Sequence, residues 1–417
     1  MKQGKADAPP CALTRVGRQA IFDRQLQVHA YELLYRRATA DDTAVFDDGN
    51  MASSRTILDT FLDLGIERIA GPHRVFINLT RAFFTDLPPI PLDRRRIVLE
   101  LLEDTEVDDA LVQSVATLHQ QGYKLAIDDF GFEEKWGPLL PFVSIIKVEI
   151  LNQDLDAIAE RLPALRRHDA RLLAEKVETR DQFDRLHALG FDFFQGFFFA
   201  RPNVVEGKRL SENQTVVMQL ISLVNDPYVT VGELCEVIVQ DPALSYKILR
   251  AINSARLNVG RKIGSIHEAV VYLGLNRIRA WATLFALSGF DDKPLEVLNL
   301  GLVRANLCER VARLTGSGGP DEAYTVGLLS ILDAMLDQPM ETLLADLPLP
   351  QAFTDAIVHH SGPHGSALAC ALAMEQGRWD SAACLIADGE QLREAFMEST
   401  AAAFGILEEL EASNTPN

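Results

Sequence analysis

The stretch Leu125-Ala126-Ile127-Asp128-Asp129 ends a short apolar run with two carboxylates. Six other runs in the first 200 residues have the same form, and each carries or ends in an acid, an amide or an amine. They read His29-Ala30-Tyr31-Glu32, Val75-Phe76-Ile77-Asn78, Ile97-Val98-Leu99-Glu100, Ile145-Ile146-Lys147, Leu172-Leu173-Ala174-Glu175 and Phe193-Phe194-Gln195. Since the runs are rich in branched apolar residues with little alternation, we interpret them as parallel strands buried on both faces.

Amphipathic stretches separate the runs. Residues 53–64, 108–121, 155–166 and 180–189 carry apolar side chains three and four positions apart, which predicts helices packed by one face. Strands that alternate with helices in units of about 25 residues favour a (β/α) barrel of the TIM type. Residues 16–27 are interpreted as a hairpin that precedes the first barrel strand. In such a barrel the carboxyl ends of the strands converge on one face, where the chemistry is placed.

The strand pattern stops near Arg201-Pro202. From residue 210 onward the chain shows helical segments separated by turn signals such as Asn225-Asp226-Pro227 and Gly362-Pro363. The predicted fold class is therefore an α/β barrel followed by an all-α domain. We expect a flexible tail over 1–15, the barrel over 16–203 and the helical domain over 204–417.

Composition narrows the function classes. The 417 residues include 40 Lys and Arg against 59 Asp and Glu, a formal net charge of −19. This balance argues against nucleic acid and membrane surfaces as partners, because both require a basic footprint. The negative net charge does not exclude a small anionic ligand, because such a ligand is bound by local groups. Five scattered cysteines without CxxC spacing, no signal segment and no membrane-spanning window predict a cytoplasmic protein.

The polar strand ends suggest a metal site. Two carboxylates about 4 Å apart repel by roughly 4 kcal/mol at an effective dielectric near 20, so a cluster of acids needs cations. Oxygen ligands favour Mg²⁺, Mn²⁺ or Ca²⁺ over zinc. Two such ions could activate water and stabilise the leaving oxygen of a phosphodiester, while an amine offsets developing charge. The candidate residues are Glu32, Asn78, Glu100, Asp128, Asp129, Lys147 and Glu175.

Several of these segments resemble family motifs when taken together and in order. They are Tyr31-Glu32-Leu33-Leu34-Tyr35-Arg36, Phe76-Ile77-Asn78-Leu79, Leu99-Glu100-Leu101-Leu102-Glu103, Asp128-Asp129-Phe130-Gly131, Lys147, Ala174-Glu175-Lys176-Val177-Glu178-Thr179 and Gln195-Gly196-Phe197. The first domain resembles the EAL family of cyclic di-GMP phosphodiesterases, with Leu33 in place of the signature alanine.

The resemblance implies a role for each matching residue. Metal ligands would be Glu32, Asn78, Glu100, Asp128 and Glu175, with Asp129 at a second metal or at the activated water, and the ion would be Mg²⁺ or Mn²⁺. Lys147 would be an assisting amine, and Glu32, Asp129, Lys147 and Glu175 would form the catalytic set. Arg36 would contact a ligand phosphate, Glu178 and Gln195 would line the site, and Glu103 would steady the loop after the aspartate pair. A homodimer is also implied.

The chain departs from this family at positions close in sequence to the candidate metal ligands. Where active members run Thr-Gly-Tyr-Ser-Ser, this chain runs Phe132-Glu133-Glu134-Lys135-Trp136. Leu102 replaces a threonine, Lys176 a glycine and Glu149 an aspartate. The hypotheses are a metal-dependent phosphodiesterase that opens cyclic di-GMP to linear pGpG, or a weakly active or inactive sensor or scaffold. A different phosphodiester substrate is a third alternative.

The helical half has its own resemblance. Residues 240–250, 266–270 and 273–276 are similar to segments of the HDOD domain, a relative of HD phosphohydrolases, over roughly 204–400. Ser330 and Ile331 stand where an HD enzyme has its metal-binding His and Asp, so we expect no hydrolysis by this half. His359, His360 and His364 are interpreted as ordinary helix-end residues. We expect the helical half to be an output module that binds an unknown protein partner.

Overall fold

The computed structural model of the protein describes residues 14–37, 66–86, 93–199, 212–226, 228–240, 242–253, 262–288, 293–345, 347–378 and 389–414. Eight strands in the first half form a closed barrel in chain order. They are β1 (Thr14–Phe22), β2 (Val28–Arg37), β3 (Arg74–Leu79), β4 (Ile97–Leu101), β5 (Lys124–Ile127), β6 (Ile145–Glu149), β7 (Arg171–Glu175) and β8 (Phe193–Gln195). Each of the seven predicted strand runs overlaps one of the strands β2 to β8.

One barrel strand, β1, runs against the other seven. It pairs antiparallel with β2 and β8, whereas β2 to β8 pair in parallel with their neighbours. The prediction of a hairpin that precedes the barrel at 16–27 is therefore wrong, because the first arm of the hairpin is itself a barrel strand. Asp23 holds the turn, since its Oδ1 accepts hydrogen bonds from the N–H groups of Gln25 and Gln27, both at 2.9 Å.

The helices between the strands follow the amphipathic pattern. They are α1 (Ile66–Ala70), α2 (Arg81–Asp86), α3 (Asp109–Gln120), α4 (Leu155–Leu165) and α5 (Arg180–Ala188). Asp108 caps α3 by accepting a hydrogen bond from the N–H of Leu111, and Thr179 forms a capping box with Gln182 at the start of α5. The predicted helices at 108–121, 155–166 and 180–189 are confirmed, and the one at 53–64 lies outside the described residues.

All the regular secondary structure that the structure describes in the second half is helical. Its helices are α6 (Glu212–Asn225), α7 (Val231–Gln240), α8 (Pro242–Ile252), α9 (Ile266–Leu273), α10 (Leu275–Leu287), α11 (Leu295–Thr315), α12 (Pro320–Leu329), α13 (Leu332–Leu336), α14 (Met340–Ala345), α15 (Gln351–His359), α16 (Gly362–Glu375) and α17 (Gly389–Asn414). The predicted fold class, an α/β barrel followed by an all-α domain, is confirmed. Among the described residues no helix has the length and apolarity needed to cross a membrane.

The barrel interior is layered, because side chains along each strand alternate between the lumen and the outside. One apolar layer takes a buried residue from every strand: Ile21, Ala30, Phe76, Val98, Ala126, Ile145, Leu173 and Phe193. Two residues further toward the carboxyl end of each parallel strand lies the next lumen position. That step leads to Glu32, Asn78, Glu100, Asp128, Lys147, Glu175 and Gln195. The strand pattern thus sets a polar ring directly above an apolar layer.

The helical half docks on the outer face of β1 and β2 through a buried polar network. The Tyr31 hydroxyl donates a hydrogen bond to Glu296 Oε2 at 2.7 Å, and Asn299 Nδ2 donates to the same oxygen at 2.9 Å. The Arg18 guanidinium lies 4.4 Å from the centre of the Tyr31 ring and 4.5 Å from that of Phe404 on α17. Because Tyr31 and Glu32 are adjacent in β2, this strand contacts the helical half with its outer face and contributes to the polar ring with its inner face.

Removing the Tyr31 hydroxyl tests this network. We expect Tyr31→Phe to destabilise the protein by about 1–3 kcal/mol, because the buried Glu296 carboxyl loses one of its two donors and keeps only Asn299. Urea denaturation followed by circular dichroism measures the loss. Tyr123→Phe is the matched control, since the hydroxyl of this half-buried tyrosine makes no hydrogen bond with any described residue. Equal stability of the two variants would show that the network does not stabilise the docked arrangement.

Candidate active site at the barrel mouth

Lys147 lies at the centre of the polar ring. Its Nζ atom is 2.6 Å from Asp128 Oδ1, 2.9 Å from Glu100 Oε1, 3.0 Å from Glu175 Oε1 and 3.3 Å from Glu32 Oε1. The lysine side chain is 0% exposed and that of Asp128 is 14% exposed. One ammonium among four acids leaves three negative charges uncompensated when all four are ionised. The structure therefore confirms that the acids converge, and it places the lysine in the middle of them.

Burial and the lysine act in opposite directions on the inner acids. Burial raises the pKa of Glu100 well above its usual range, and the charge of Lys147 opposes that rise. Burial would also raise the pKa of Glu32, but Lys147 and hydrogen bonds from Gln195 and Asn78 bring it below the usual value. Burial disfavours the charged form of Lys147, yet Glu100, Glu32 and Glu175 together hold its pKa well above the ordinary value. The lysine therefore stays protonated at neutral pH.

Two acids on the other side of the ring, Glu175 and Asp129, also have raised pKa values. Burial, reinforced by Asp128, raises the pKa of Glu175 to about 8 despite the opposing charge of Lys147. Burial and the neighbouring Asp128 raise the pKa of Asp129 to about 6. These shifts report first the burial of the carboxylates and then their mutual repulsion, both of which a bound cation would offset.

Two amides orient Glu32. Asn78 Nδ2 donates to Glu32 Oε1 at 3.0 Å, and Gln195 Nε2 donates to Glu32 Oε2. Gln195 Nε2 also donates to Gln19 Oε1 at 2.9 Å. Gln19 on β1 completes the ring and was missed by the sequence analysis, because β1 was not recognised as a barrel strand. Its position two residues before Ile21, on a strand of reversed direction, is the signal that could have revealed it.

Several oxygens in the ring lack hydrogen-bond partners. Asn78 Oδ1, Glu100 Oε2, Glu175 Oε2 and Gln195 Oε1 are buried without a hydrogen bond. Buried acceptors are rarely left in this state in native proteins. Two sets of three acids also place ligand oxygens within 4.8 Å of one another: Glu32, Glu100 and Asp128, and Asp128, Asp129 and Glu175. The described residues thus present converging, unsatisfied oxygen donors of the kind that hard divalent cations bind.

The atypical loop after the aspartate pair is anchored in the barrel. Trp136 is fully buried, and the Phe132 ring packs edge-on against Phe130 with centroids 5.3 Å apart. Lys135 Nζ donates a hydrogen bond to the backbone carbonyl of Glu103 at 2.7 Å. The Glu103 side chain itself is exposed, so this residue contacts the loop through its main chain. Larger side chains thus anchor the loop by packing.

Two other departures from the family pattern compensate each other. Lys176 has a φ of +56°, in the left-handed region where glycine is favoured, which accounts for the glycine usual at this position. Its Nζ donates a hydrogen bond to Glu149, the second altered residue. Lys176 and Glu149, which stand in place of the glycine and the aspartate, therefore form an ion pair with each other at the rim of the site.

The remaining candidates lie further out. Glu178 is half-buried between β7 and α5, and its N–H donates to Gln182 Oε1 at 2.9 Å. Arg36 lies in β2 opposite Arg15, and its side chain is outside the described part of the chain. Gly196 has a φ of +147°, and a Cβ there would lie 2.1 Å from the Val177 carbonyl oxygen. Glycine at this position therefore lets the end of β8 approach the segment after β7.

Comparison with known proteins identifies the family. Residues 52–202 match the EAL domain and residues 210–338 match the HDOD domain. A relative from Vibrio cholerae serotype O1, the cyclic di-GMP phosphodiesterase CdgJ, is 35% identical over 372 residues, 88% of this chain and 86% of the relative. The chain belongs to the EAL–HDOD family. This confirms both resemblances drawn from the sequence.

Two further proteins are similar to this chain. The uncharacterized protein YuxH of Bacillus subtilis is 31% identical over 398 residues, 92% of this chain and 96% of the relative. The solved BlrP1 of Klebsiella pneumoniae, in a complex with calcium and cyclic di-GMP, is 24% identical and has a TM-score of 0.38. That match covers 48% of this chain and 58% of BlrP1.

Proposed function

We propose that this EAL–HDOD protein hydrolyses cyclic di-GMP to linear pGpG at the mouth of its barrel, with Mg²⁺ or Mn²⁺ as cofactor. The observation that carries the proposal is the convergence of four acids on Lys147 with unpartnered oxygens among them. A relative that aligns with 88% of this chain over 86% of its own length is named a cyclic di-GMP phosphodiesterase, which supports the choice of substrate.

The donor set fits a divalent ion. Glu32, Asn78, Glu100, Asp128 and Glu175 would hold it, with Asp129 available for a second ion, because all six offer oxygen ligands. When bound, such ions polarise the phosphodiester and lower the pKa of the attacking water. The unpartnered buried oxygens of Asn78, Glu100 and Glu175 are the local reason to expect ion binding.

The protein's own groups have distinct proposed tasks. Lys147 stays protonated and lowers the repulsion among the acids, so it assists as a cation and not as a base. Where it does not hold a second ion, Asp129, half-buried beside Asp128, would accept the proton of the attacking water. Gln195 and Asn78 would orient Glu32 through their hydrogen bonds. Arg36 would contact a ligand phosphate and Glu178 would line the site.

A direct assay tests the proposal. The purified chain is incubated with cyclic di-GMP and Mn²⁺, linear product is measured by chromatography, and binding is measured by calorimetry. Formation of linear pGpG supports the phosphodiesterase. Absence of both turnover and binding would refute a role in cyclic di-GMP signalling at this site.

A cyclic di-GMP sensor is the alternative, and one observation favours it. The loop Phe132-Glu133-Glu134-Lys135-Trp136 departs from the sequence of active family members and is anchored by the buried Trp136, so the support around the metal ligands differs from theirs. Binding of cyclic di-GMP without product, in the presence of saturating Mn²⁺, would establish this alternative.

The pKa shifts predict how metal binding depends on pH. Metal must displace the proton from Glu175, whose pKa is raised by burial from about 4.5 to about 8, and from Asp129, whose pKa is about 6. We therefore expect the apparent affinity for Mn²⁺ to rise from pH 6 to pH 8.5, with protons released on binding. Calorimetry in buffers of different ionisation enthalpy counts those protons. In Glu175→Gln the step near pH 8 should disappear, and a pH-independent wild-type affinity would contradict the assignment.

The helical half is proposed to bind a protein partner. Helices α7 and α9 are in contact and expose apolar side chains, including Val239 (59% exposed), Val271 (73%) and Tyr272 (48%). Ser330 donates a hydrogen bond to Gly327 and accepts one from Arg304, so it serves the packing of α11 and α12. The expected homodimer is a separate proposal, and sedimentation of the wild type and of Val271→Ser/Tyr272→Ser tests whether it uses this face. A dimer in the wild type and a monomer in the variant would place the partner copy on this face.

A further inference from the structure

A second ring of charged side chains lies at the opposite end of the barrel. Arg74, Lys124 and Arg171 begin the alternate strands β3, β5 and β7, and each stands two residues before a member of the apolar lumen layer. The two-residue step that generates the polar ring at the carboxyl ends of the strands, called the acidic ring from here on, also places these cations in a ring at the amino ends. In a chain of net charge −19, this concentration of cations around one opening stands out.

These cations surround an open cleft of about 710 Å³, called here the lower cleft. Its floor includes Val98, Ile145 and Phe193, which belong to the apolar layer and separate the cleft from the acidic ring. A volume of this size lies within the roughly 300–1,000 Å³ range of sites for small molecules. The lower cleft is thus distinct from the candidate active site.

A β-bulge adds a further polar group to the lower cleft. Ile21 pairs with Ala30 and Phe22 with Val28, so His29 is the extra residue between them. Bulges commonly re-aim a side chain, and here the His29 ring stacks on Phe193 with centroids 4.3 Å apart. Burial, then the charges of Arg74 and Arg171, lower the pKa of His29 to about 4, so its ring is neutral at physiological pH.

The cations of the lower cleft are incompletely neutralised. Lys124 and Arg171 form no ion pair with any described residue, and Arg74 uses its Nε to donate to the Arg95 carbonyl at 3.0 Å. The cleft also contains two acids, Asp169 and Asp192, and Asp192 accepts a hydrogen bond from the N–H of Leu172 at 3.0 Å. Three cations against two acids leave a positive balance around an open, polar space.

We propose that the lower cleft binds a small phosphate-bearing anion. The planar guanidinium groups of Arg74 and Arg171 suit the oxygens of a phosphate, and Lys124 adds a mobile ammonium. His29 contributes a neutral ring nitrogen next to them. Inorganic phosphates and nucleotides share this chemistry, and the site is independent of whether the acidic ring hydrolyses cyclic di-GMP.

Calorimetry tests the lower cleft with two probes, inorganic pyrophosphate and ADP, at low ionic strength with excess EDTA. EDTA removes divalent ions, so neither probe has a reason to enter the acidic ring. We expect saturable binding, with equal affinities if the phosphates alone are recognised and tighter ADP binding if a nucleoside is also recognised. Lys124→Gln/Arg171→Gln should weaken the affinity by roughly tenfold or more, because charged hydrogen bonds are lost.

Two control variants locate the binding. Arg68→Gln/Lys262→Gln removes the same charge from exposed positions that do not line the cleft, and it should bind both probes like the wild type. Glu32→Gln should also bind normally, since the apolar layer lies between the two sites. No saturable binding of either probe would overturn the proposal. Equal loss in the control pair would overturn it as well, because attraction to overall charge would then explain the data.

Discussion

Lys147→Met should destabilise the metal-free protein by about 3–5 kcal/mol at pH 8, the range found when one partner of a buried ion pair is removed. The methionine fills similar space but leaves Glu32, Glu100, Asp128 and Glu175 without their shared cation. Thermal denaturation in EDTA measures the loss. Lys176→Met is the matched control, because this half-exposed lysine has a single rim partner and an exposed pair contributes at most about 1 kcal/mol.

Two conditions should reduce the deficit of Lys147→Met. Saturating Mn²⁺ should stabilise the variant more than the wild type, since the ion supplies the missing positive charge and binds only the folded state. Lowering the pH to 5 should also help, because the acids whose pKa values are raised then carry protons. The sign follows from Glu175, which ionises near 8 when folded and near 4.5 when unfolded, so the folded state is penalised as the pH rises between these values. A variant as stable as Lys176→Met at pH 8 would show that Lys147 does not neutralise the ring.

The strand periodicity of the sequence was sufficient to predict which acids meet at the site. Parallel strands with apolar interiors must end on one face, so acids at the ends of such runs, Glu100 and Asp128 among them, must meet. Periodicity does not tell how far a side chain extends into the lumen. The central position of Lys147 depends on the reach of its four-carbon stem across the barrel, which only the closed geometry reveals.

Other features depend on contacts that are distant in sequence. Tyr31 and Glu296 lie 265 residues apart, and they meet because the helical half docks on β1 and β2. Gln19 was missed because polar residues such as Arg15 and Arg18 obscured the apolar pattern of β1. In the sequence, each of Arg74, Lys124 and Arg171 looks like a solvent-exposed residue at the start of a strand. Only the closed barrel shows that the three surround one opening. The pattern therefore specified the carboxyl-end face better than any other surface.

Glu32→Gln should lower the turnover of cyclic di-GMP by about a thousandfold, equivalent to about 4 kcal/mol of transition-state stabilisation. The side-chain amides of Asn78 and Gln195 both donate to Glu32, and Lys147 contacts it at 3.3 Å. These contacts hold the pKa of Glu32 below its usual value. It is therefore ionised at neutral pH and ready to receive a divalent ion. Changes in groups that merely support a metal ligand commonly cost about 10–100-fold, so loss of the ligand's charge should cost more.

The fold should survive Glu32→Gln, which separates a catalytic loss from a structural one. An amide of the same shape keeps the packing, but it loses a charge that the folded state stabilises and turns one acceptor into a donor that faces Asn78 or Gln195. The melting temperature in EDTA should therefore fall modestly, with the cooperative transition retained. Glu67→Gln, at an exposed position of α1, is the matched control for both measurements. Chromatography measures linear pGpG and calorimetry measures Mn²⁺ affinity for all three proteins. Full turnover in Glu32→Gln would mean that the acidic ring is not the catalytic centre, because a site built on that carboxylate cannot work without its charge.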